Sequence, residues 1–493
     1  MQASTSVLRA RHDNIRYNWG FRFALWCALL WGFGYSGMSL LAHSSSFNQA
    51  LLLQGNPFFS GTVMVLVLSV TMATISIIWV AVNGQLREWF RLLTSFRPES
   101  LTYLAATLFG GCAVWLSYVA ANMLDATFAV AMTMFYPVVG TFIARIWYRE
   151  KVTTACWIGL VIILLGCVIL YLPSLPLDQG SRLLILLLGI LVGIGWAIEG
   201  VVATRAMDVT DSGVGLSLRF TYEALIWIVI AICVTIFKPD LPLLASVQAV
   251  IVIPQSALLF FTVAISLTIN YLAWYKSFMF CGVCRGLAVS DISGFVTVGI
   301  SLILVASQPS VLEVTACVCM AIGVFIVFYG QSAQLQVLRD VDLTARTHGL
   351  KRRRNKALTL KTQTLLTIAE AGECWDFEVA DLLTTNTGKR RQSRQRKQIR
   401  VFTIEAAAAG LLTPMDEDVD DGSHFSEGKL LSRYALTAFG FERLQQIGVA
   451  EDVLTGTNTK SNTRSRTRGE AGSRARGAAN GEARGGAGAR TIP

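Results

Sequence analysis

Leu30-Trp31-Gly32-Phe33-Gly34-Tyr35-Ser36-Gly37-Met38-Ser39-Leu40-Leu41-Ala42 returns in outline as Leu191-Val192-Gly193-Ile194-Gly195-Trp196-Ala197-Ile198-Glu199-Gly200-Val201-Val202-Ala203. With Leu30 set against Leu191, the leading leucine, both following glycines and the closing alanine coincide. Thr154-Ala155-Cys156 and Thr315-Ala316-Cys317 fall in the same register. Each pair lies in apolar runs of about 20 residues, the length a helix needs to cross the ~30 Å hydrocarbon layer of a bilayer. Backbone groups cannot remain unpaired in lipid, so such runs must be helices.

Ten runs of this kind are expected, at about 21–42, 62–83, 101–121, 126–147, 154–173, 183–206, 214–237, 255–276, 286–305 and 311–330. The repeat divides them into 21–173 and 181–331, five helices each. Five is odd, so the second copy enters the membrane inverted with respect to the first, an architecture of secondary transporters. The first run is too long for a signal peptide and lacks a small-residue cleavage site. Positive charge sets the orientation. Arg9, Arg11, Arg16 and Arg22 precede the first span or open it. Arg87, Arg91, Arg97, Arg145, Arg149, Lys151, Arg205, Lys276 and Arg285 lie at the even-numbered connections, against Arg182 and Lys238 at the odd ones. An integral protein of the plasma (inner) membrane with both termini in the cytoplasm is expected, residues 1–20 forming the cytoplasmic N-terminus.

Composition separates the chain into two bodies. It is 53% hydrophobic and 15% charged, with a net charge of +10. Residues 335–493 hold 26 of the 42 basic and 19 of the 32 acidic side chains. Residues 332–357 read as a basic linker, 358–449 as a folded cytoplasmic unit and 450–493 as a disordered tail, poor in large apolar groups. Within 358–449 the expected order is a helix at 358–372, a second at 375–383, a third at about 395–412, a hairpin from 411–415 and 430–436, and a last helix capped by Thr437. This order is winged-helix-like. The runs 351–356 and 389–400 are basic, and contact with DNA or with anionic lipid through them is expected. The acidic stretch 416–421 in the expected wing argues against DNA.

The ten cysteines lie mostly in apolar helices and read as small packing hydrophobes. Cys281 and Cys284 form one isolated CxxC, read the same way. No catalytic triad, nucleotide-binding loop or zinc spacing occurs, so neither an enzyme nor a cofactor or metal is expected.

Charges inside the spans carry the functional reading, since each is costly in lipid. Glu199, Arg219, Glu223 and Asp291 fall in the sixth, seventh, seventh and ninth spans. Glu199 and Arg219 are equidistant from the turn near residue 209 and so lie at one depth. Arg219 and Glu223, four apart, share a helix face. Asp291 is expected at similar depth. The cluster suits binding of a zwitterion or passage of protons, and Glu199–Arg219 suits a structural ion pair equally. Glu223 and Asp291, with no assigned cation, are the candidates for proton coupling. Trp31, Tyr35, Trp115, Tyr118, Tyr136, Trp196, Asn270, Tyr271 and Trp274 are the candidates for a substrate cavity, apolar walls with a few polar anchors.

Ten spans in two inverted halves resemble the drug/metabolite transporter (DMT) superfamily, in particular its EamA-type members. The resemblance rests on Trp31-Gly32, Pro137, Gly159, Gly166 and the junction Arg149-Glu150-Lys151-Val152-Thr153, similar to a Gly-Glu-x-hydrophobic-Thr junction. The second half departs, with Gly294 near the place of the proline and Ser307-Gln308-Pro309 at the junction. The resemblance covers residues 21–330 and implies a secondary transporter, an exporter of a small metabolite, amino acid or drug by alternating access. The alternative reading is a membrane-tethered sensor whose C-terminal domain binds DNA or a protein partner.

Overall fold

The computed structural model describes residues 5–53, 55–123, 136–171, 179–305, 310–329, 336–346, 350–352, 358–385 and 388–452. Among the described residues, fourteen helices precede the first strand: α1 (Thr5–His43), α2 (Ser45–Ala50), α3 (Pro57–Val82), α4 (Leu86–Thr94), α5 (Arg97–Met123), α6 (Tyr136–Trp147), α7 (Thr154–Tyr171), α8 (Gln179–Met207), α9 (Ser212–Phe237), α10 (Leu243–Val252), α11 (Pro254–Cys281), α12 (Val283–Ser290), α13 (Ser293–Val305) and α14 (Val311–Tyr329). Then follow β1 (Leu350–Arg352), α15 (Leu360–Ala371), β2 (Glu373–Trp375), α16 (Asp376–Thr384), α17 (Lys389–Ala408), β3 (Leu412–Val419), β4 (Leu430–Leu436), α18 (Ala438–Gln446) and β5 (Ala450–Asp452).

Among the described residues, seven helical segments are long and apolar enough to cross a membrane. They are Ser6–His43, Pro57–Val82, Arg97–Ala120, Leu187–Met207, Ser212–Phe237, Pro254–Cys281 and Val283–Ile300. The fifth and tenth expected spans show shorter apolar helices at Thr154–Ile169 and Val314–Phe328. Residues 126–135 of the expected fourth span lie outside the described residues, and α6 is its visible part. Large apolar side chains such as Ile78, Phe109, Phe142, Phe237 and Phe261 point outward from these helices, the surface a membrane-embedded body presents.

Local chemistry starts and ends the helices. Asn56 accepts from the backbone of Phe58 and Phe59 ahead of Pro57 at the first turn of α3. Asp211 accepts from Gly213 and Val214 to start α9. Gly282, at φ +89°, turns the chain from α11 into α12. The expected ninth span is not one continuous helix: α12 stops at Ser290, Asp291 caps it, and α13 resumes at Ser293.

Helix pairs form through small residues. α1 runs along α11, with Gly34 and Gly37 against Leu267 and Val263. α5 runs along α8, with Gly195 on the carbonyl of Phe109. α7 pairs with α14 where Gly159 and Gly323 face one another: a Cβ on either would come within 2.6 Å of the other's carbonyl oxygen. α3 pairs with α9 through Ser76 and Ser217 (3.2 Å). Gly32 packs α1 on Val296 of α13, and Gly140 sets α6 on Ala197 of α8.

A small sheet lies near the C-terminus. Its three strands run in the order β2-β4-β3, all antiparallel, against α15, α16 and α17. Thr359 and Thr437 cap α15 and α18. Two boundaries differ from expectation. The run Lys389–Lys397 does not precede the third helix but forms its first half, because basic side chains on the solvent side leave Ile399, Phe402 and Ala406 free to make the buried stripe. The linker and tail are partly built in: Leu350–Arg352 pairs with Ala450–Asp452. Residues 353–356 of the basic run and 453–493 of the tail lie outside the described residues.

The C-terminal unit is docked on one end of the helical body. Arg339 donates to both oxygens of Asp208 (2.8 and 3.0 Å), and Arg443 donates to Glu99 (2.8 Å) and to the carbonyl of Arg205. Lys361 reaches Glu405 (2.6 Å) and the carbonyl of Met207. Arg149 and Lys151 hydrogen-bond through their backbones to Asp340 and Leu338. Arg9 on α1 meets Glu417 of β3 (2.6 Å). The N-terminal end of α1 and the connections around 88–99, 149–151 and 207–211 therefore lie at the same end.

Candidate functional site

α9 places Arg219 and Glu223 one turn apart, and α8 brings Glu199 alongside. Arg219 forms a bidentate pair with Glu199, Nε to Oε1 at 2.7 Å and Nη2 to Oε2 at 3.2 Å. Its remaining nitrogen, Nη1, donates to Oε2 of Glu223. Tyr275 of α11 donates to Glu199 Oε1 at 3.1 Å, and the guanidinium lies 4.9 Å from the centre of the Tyr271 ring. All three charged residues are fully buried. Gly110 and Gly111 of α5 leave the room: a side chain at Gly110 would occupy the place of the Glu199 carboxylate.

The expected pairing of Glu199 with Arg219 is present, their equal distance from the turn near residue 209 placing both at one depth. Glu223 does have a cation, contrary to expectation, since one guanidinium has enough donors for both carboxylates. Asp291 does not join them. It ends α12 at the helix break, within electrostatic reach of Tyr136 and Cys167, and neither carboxyl oxygen has a hydrogen-bond partner among the described residues.

Beside the charged triad the aromatic residues gather around Trp31. Its ring centre lies 4.9 Å from Trp196, 5.6 Å from Trp274, 6.0 Å from Tyr271 and Tyr136, and 6.2 Å from Tyr35. All are buried. Their polar ends are less well served: Nε1 of Trp196 and Trp274, Oη of Tyr271, both amide atoms of Asn270 and Oε1 of Glu223 lack hydrogen-bond partners among the described residues. Such atoms are costly to bury unpaired. These are the donors and acceptors a small polar guest would need, and aromatic ring faces attract cations.

Tyr118 is buried within electrostatic reach of Glu223 and Arg219. Trp115 is not part of this centre. It donates to Thr62 at 3.1 Å and packs on Phe58 and Trp227; three residues along a helix still turn the side chain ~60° away.

Three residues of the helical body escaped the reading of charges and rings. Tyr275 completes Glu199 and follows Trp274 in sequence, which pointed to it. Ser290 meets Tyr136 at 2.6 Å. Glu150 accepts from the backbone of Val283 and Cys284 (3.1 Å each) and so caps α12. Before it, Arg149 is the one non-glycine with positive φ, +54°, among the described residues. Cys284 lies 2.8 Å from Cys156 rather than pairing with Cys281. No cluster of three or more metal-ligating side chains occurs among the described residues.

No family model matches the chain, and no curated protein matches it. A solved structure described only as "Crystal structure of protein" aligns at 15% identity and a TM-score of 0.44, over 62% of this chain and 99% of its own.

Proposed function

We propose that this chain is a secondary transporter of the DMT, EamA-like type, moving a small zwitterionic or amphipathic solute by alternating access, with both termini in the cytoplasm. The observation that carries the reading is the buried centre at Trp31, where a shared Arg219 and unpaired polar groups from α8, α9 and α11 meet. Secondary transporters bind where their two halves face each other. The helix pairing supports two inverted halves. Exchanging α1, α3, α5, α6 and α7 for α8, α9, α11, α12–α13 and α14 turns the pair α1–α11 into α8–α5 and α1–α13 into α8–α6. It returns α3–α9 and α7–α14 to themselves.

A carboxylate of the solute would take donors from Arg219, Asn270 and the Trp indoles; its amino group would take Glu223 and the ring faces. Asp291, the intramembrane carboxyl without a cation and placed at a helix break, is assigned proton coupling. We read the C-terminal unit as winged-helix-like from its order of helices and strands. Its third helix, α17, is turned onto the body: Arg394 donates to the carbonyl of Val82 and Gln398 to Asp211. That favours a cytoplasmic clamp over a DNA reader.

The test is uptake of a labelled amino-acid mixture by the full chain in vesicles, with and without an imposed pH gradient. Flux is expected to respond to the gradient, to fall at least tenfold in Asn270→Ala, and to lose only its pH response in Asp291→Asn. Binding of solute without flux would favour a membrane-tethered sensor instead. External access to a terminal tag in intact cells would reverse the orientation.

A further inference from the structure

A cavity of about 630 Å³ lies where the N-terminal part of α1 and the end of α11 meet α17 and the turn before β4. Five basic side chains line it: Arg11 and Arg16 of α1, Lys276 of α11, Arg400 of α17 and Lys429 of the turn before β4, with His12 beside them. Glu427 is the one carboxylate in its lining. Arg400 is partly engaged, donating to the carbonyl of Leu430 at 2.6 Å and lying 3.7 Å from Asp376. Arg11 and Lys429 form no ion pair among the described residues. Much of the remaining wall is apolar, with Ile15, Trp19, Phe23, Phe280 and Ile404.

The depth of the cavity decides what such a wall can hold. Trp19 stands far along α1 from its distal end at His43, and Phe280 far along α11 from its distal end at Pro254. Helical rise puts both ~36–39 Å from the opposite face. A bilayer is ~30 Å across its hydrocarbon and ~40–45 Å with its headgroups. The mouth of the cavity therefore falls in the headgroup layer, with its basic side chains outward and its rings toward the acyl chains. Trp19 is half exposed there, as aromatic residues at the interface are.

We infer that this cavity is a binding site for an anionic phospholipid. The phosphate is held by Arg11, Lys276 and Lys429, with Arg400 behind them, and the glycerol and the first carbons of the acyl chains rest on Trp19 and Phe280. The site is separate from the solute centre and takes one residue, Arg400, from the basic run at 389–400. Because its walls come from both the membrane body and the C-terminal unit, a bound lipid joins the two.

The full chain in non-ionic detergent is mixed with short-chain phosphatidylglycerol, phosphatidylcholine of the same chain length, or glycerol phosphate, and retention is read by native mass spectrometry. Phosphatidylglycerol is expected to be retained at least about tenfold more strongly than the other two, given what each basic side chain contributes near an anionic surface. Arg11→Gln/Lys276→Gln/Lys429→Gln should remove that preference, while Arg391→Gln/Arg394→Gln on the same α17 should keep it. Glu427→Gln should strengthen retention, a gain that misfolding cannot produce. Equal retention of the two lipids, glycerol phosphate binding as well as the lipid, or no effect of the triple substitution or of Glu427→Gln would overturn the assignment.

Discussion

Arg219 is the residue on which the buried centre turns. It neutralises Glu199 and Glu223 at once, so its loss leaves two carboxylates buried in an apolar layer. Removing one partner of a buried pair costs about 3–5 kcal/mol. Arg219→Ala should therefore lower the thermal unfolding midpoint in detergent strongly, and Gly110→Ala should do so too by displacing Glu199. Exchanging the pair, Glu199→Arg with Arg219→Glu, should not restore stability, because the carboxylate introduced at position 219 would face Glu223 one turn away. Recovery in the exchanged protein would show that Glu223 is not a partner. A second residue links the C-terminal unit to pH. Burial raises the Asp376 carboxyl from its ordinary 3.8 to about 6, against the pull of Arg400. The folded state then holds this proton more tightly than the unfolded chain. Stability falls as pH rises from about 4 to about 6 and is flat above, by at most about 3 kcal/mol. Denaturant midpoints followed at pH 4.5 and 7 should differ in the parent and converge in Asp376→Asn; an unchanged difference would place the effect elsewhere.

At the scale of elements, the junction between α6 and α7 shows how a short motif acts across the fold. Glu150 reaches over to cap α12, far along the chain. For it to do so the chain must turn at Arg149, which takes a left-handed conformation costing a residue with a Cβ roughly 1–2 kcal/mol. Arg149→Gly should raise stability by about 1 kcal/mol, read as an upward shift of the unfolding midpoint. A fall would mean that the Arg149 side chain contributes more than its backbone strain removes. The same capping explains why α12 is a separate short helix. Its start is fixed by Glu150 and its end by Asp291, so the ninth span cannot run as one piece.

At the scale of the whole molecule, the C-terminal unit is tied to one end of the body by Arg339–Asp208, Arg443–Glu99 and the Lys361–Glu405 pair beside the Met207 carbonyl, all buried. Each joins or abuts a connection between long apolar helices. Arg339→Ala leaves Asp208 buried without its bidentate partner and should loosen the junction. Hydrogen exchange at 206–211 and 337–346 should accelerate by an order of magnitude or more, since a broken buried pair is worth several kcal/mol. Exchange unchanged from the parent would mean that the docking does not depend on this pair.

Much of this was legible in the residues. Apolar runs long enough to cross hydrocarbon mark the membrane helices because lipid admits almost no other backbone. The C-terminal order of helix, helix, helix, hairpin and helix followed from the cap at Thr437 and from apolar periodicity. Glu199 and Arg219 were paired by counting outward from one turn, since helical rise makes depth a linear function of sequence. What the sequence left open depends on rotation and on distance between elements far apart in the chain. The sharing of Arg219 with Glu223, the separation of Trp115 from Tyr118 and the isolation of Asp291 are set by how each helix is turned about its axis. The docking of Arg339 on Asp208 and Arg443 on Glu99 joins charges from distant parts of the chain, and no local periodicity records such a pairing. Sequence determines which segments lie in the membrane; only packing decides which of their polar groups meet.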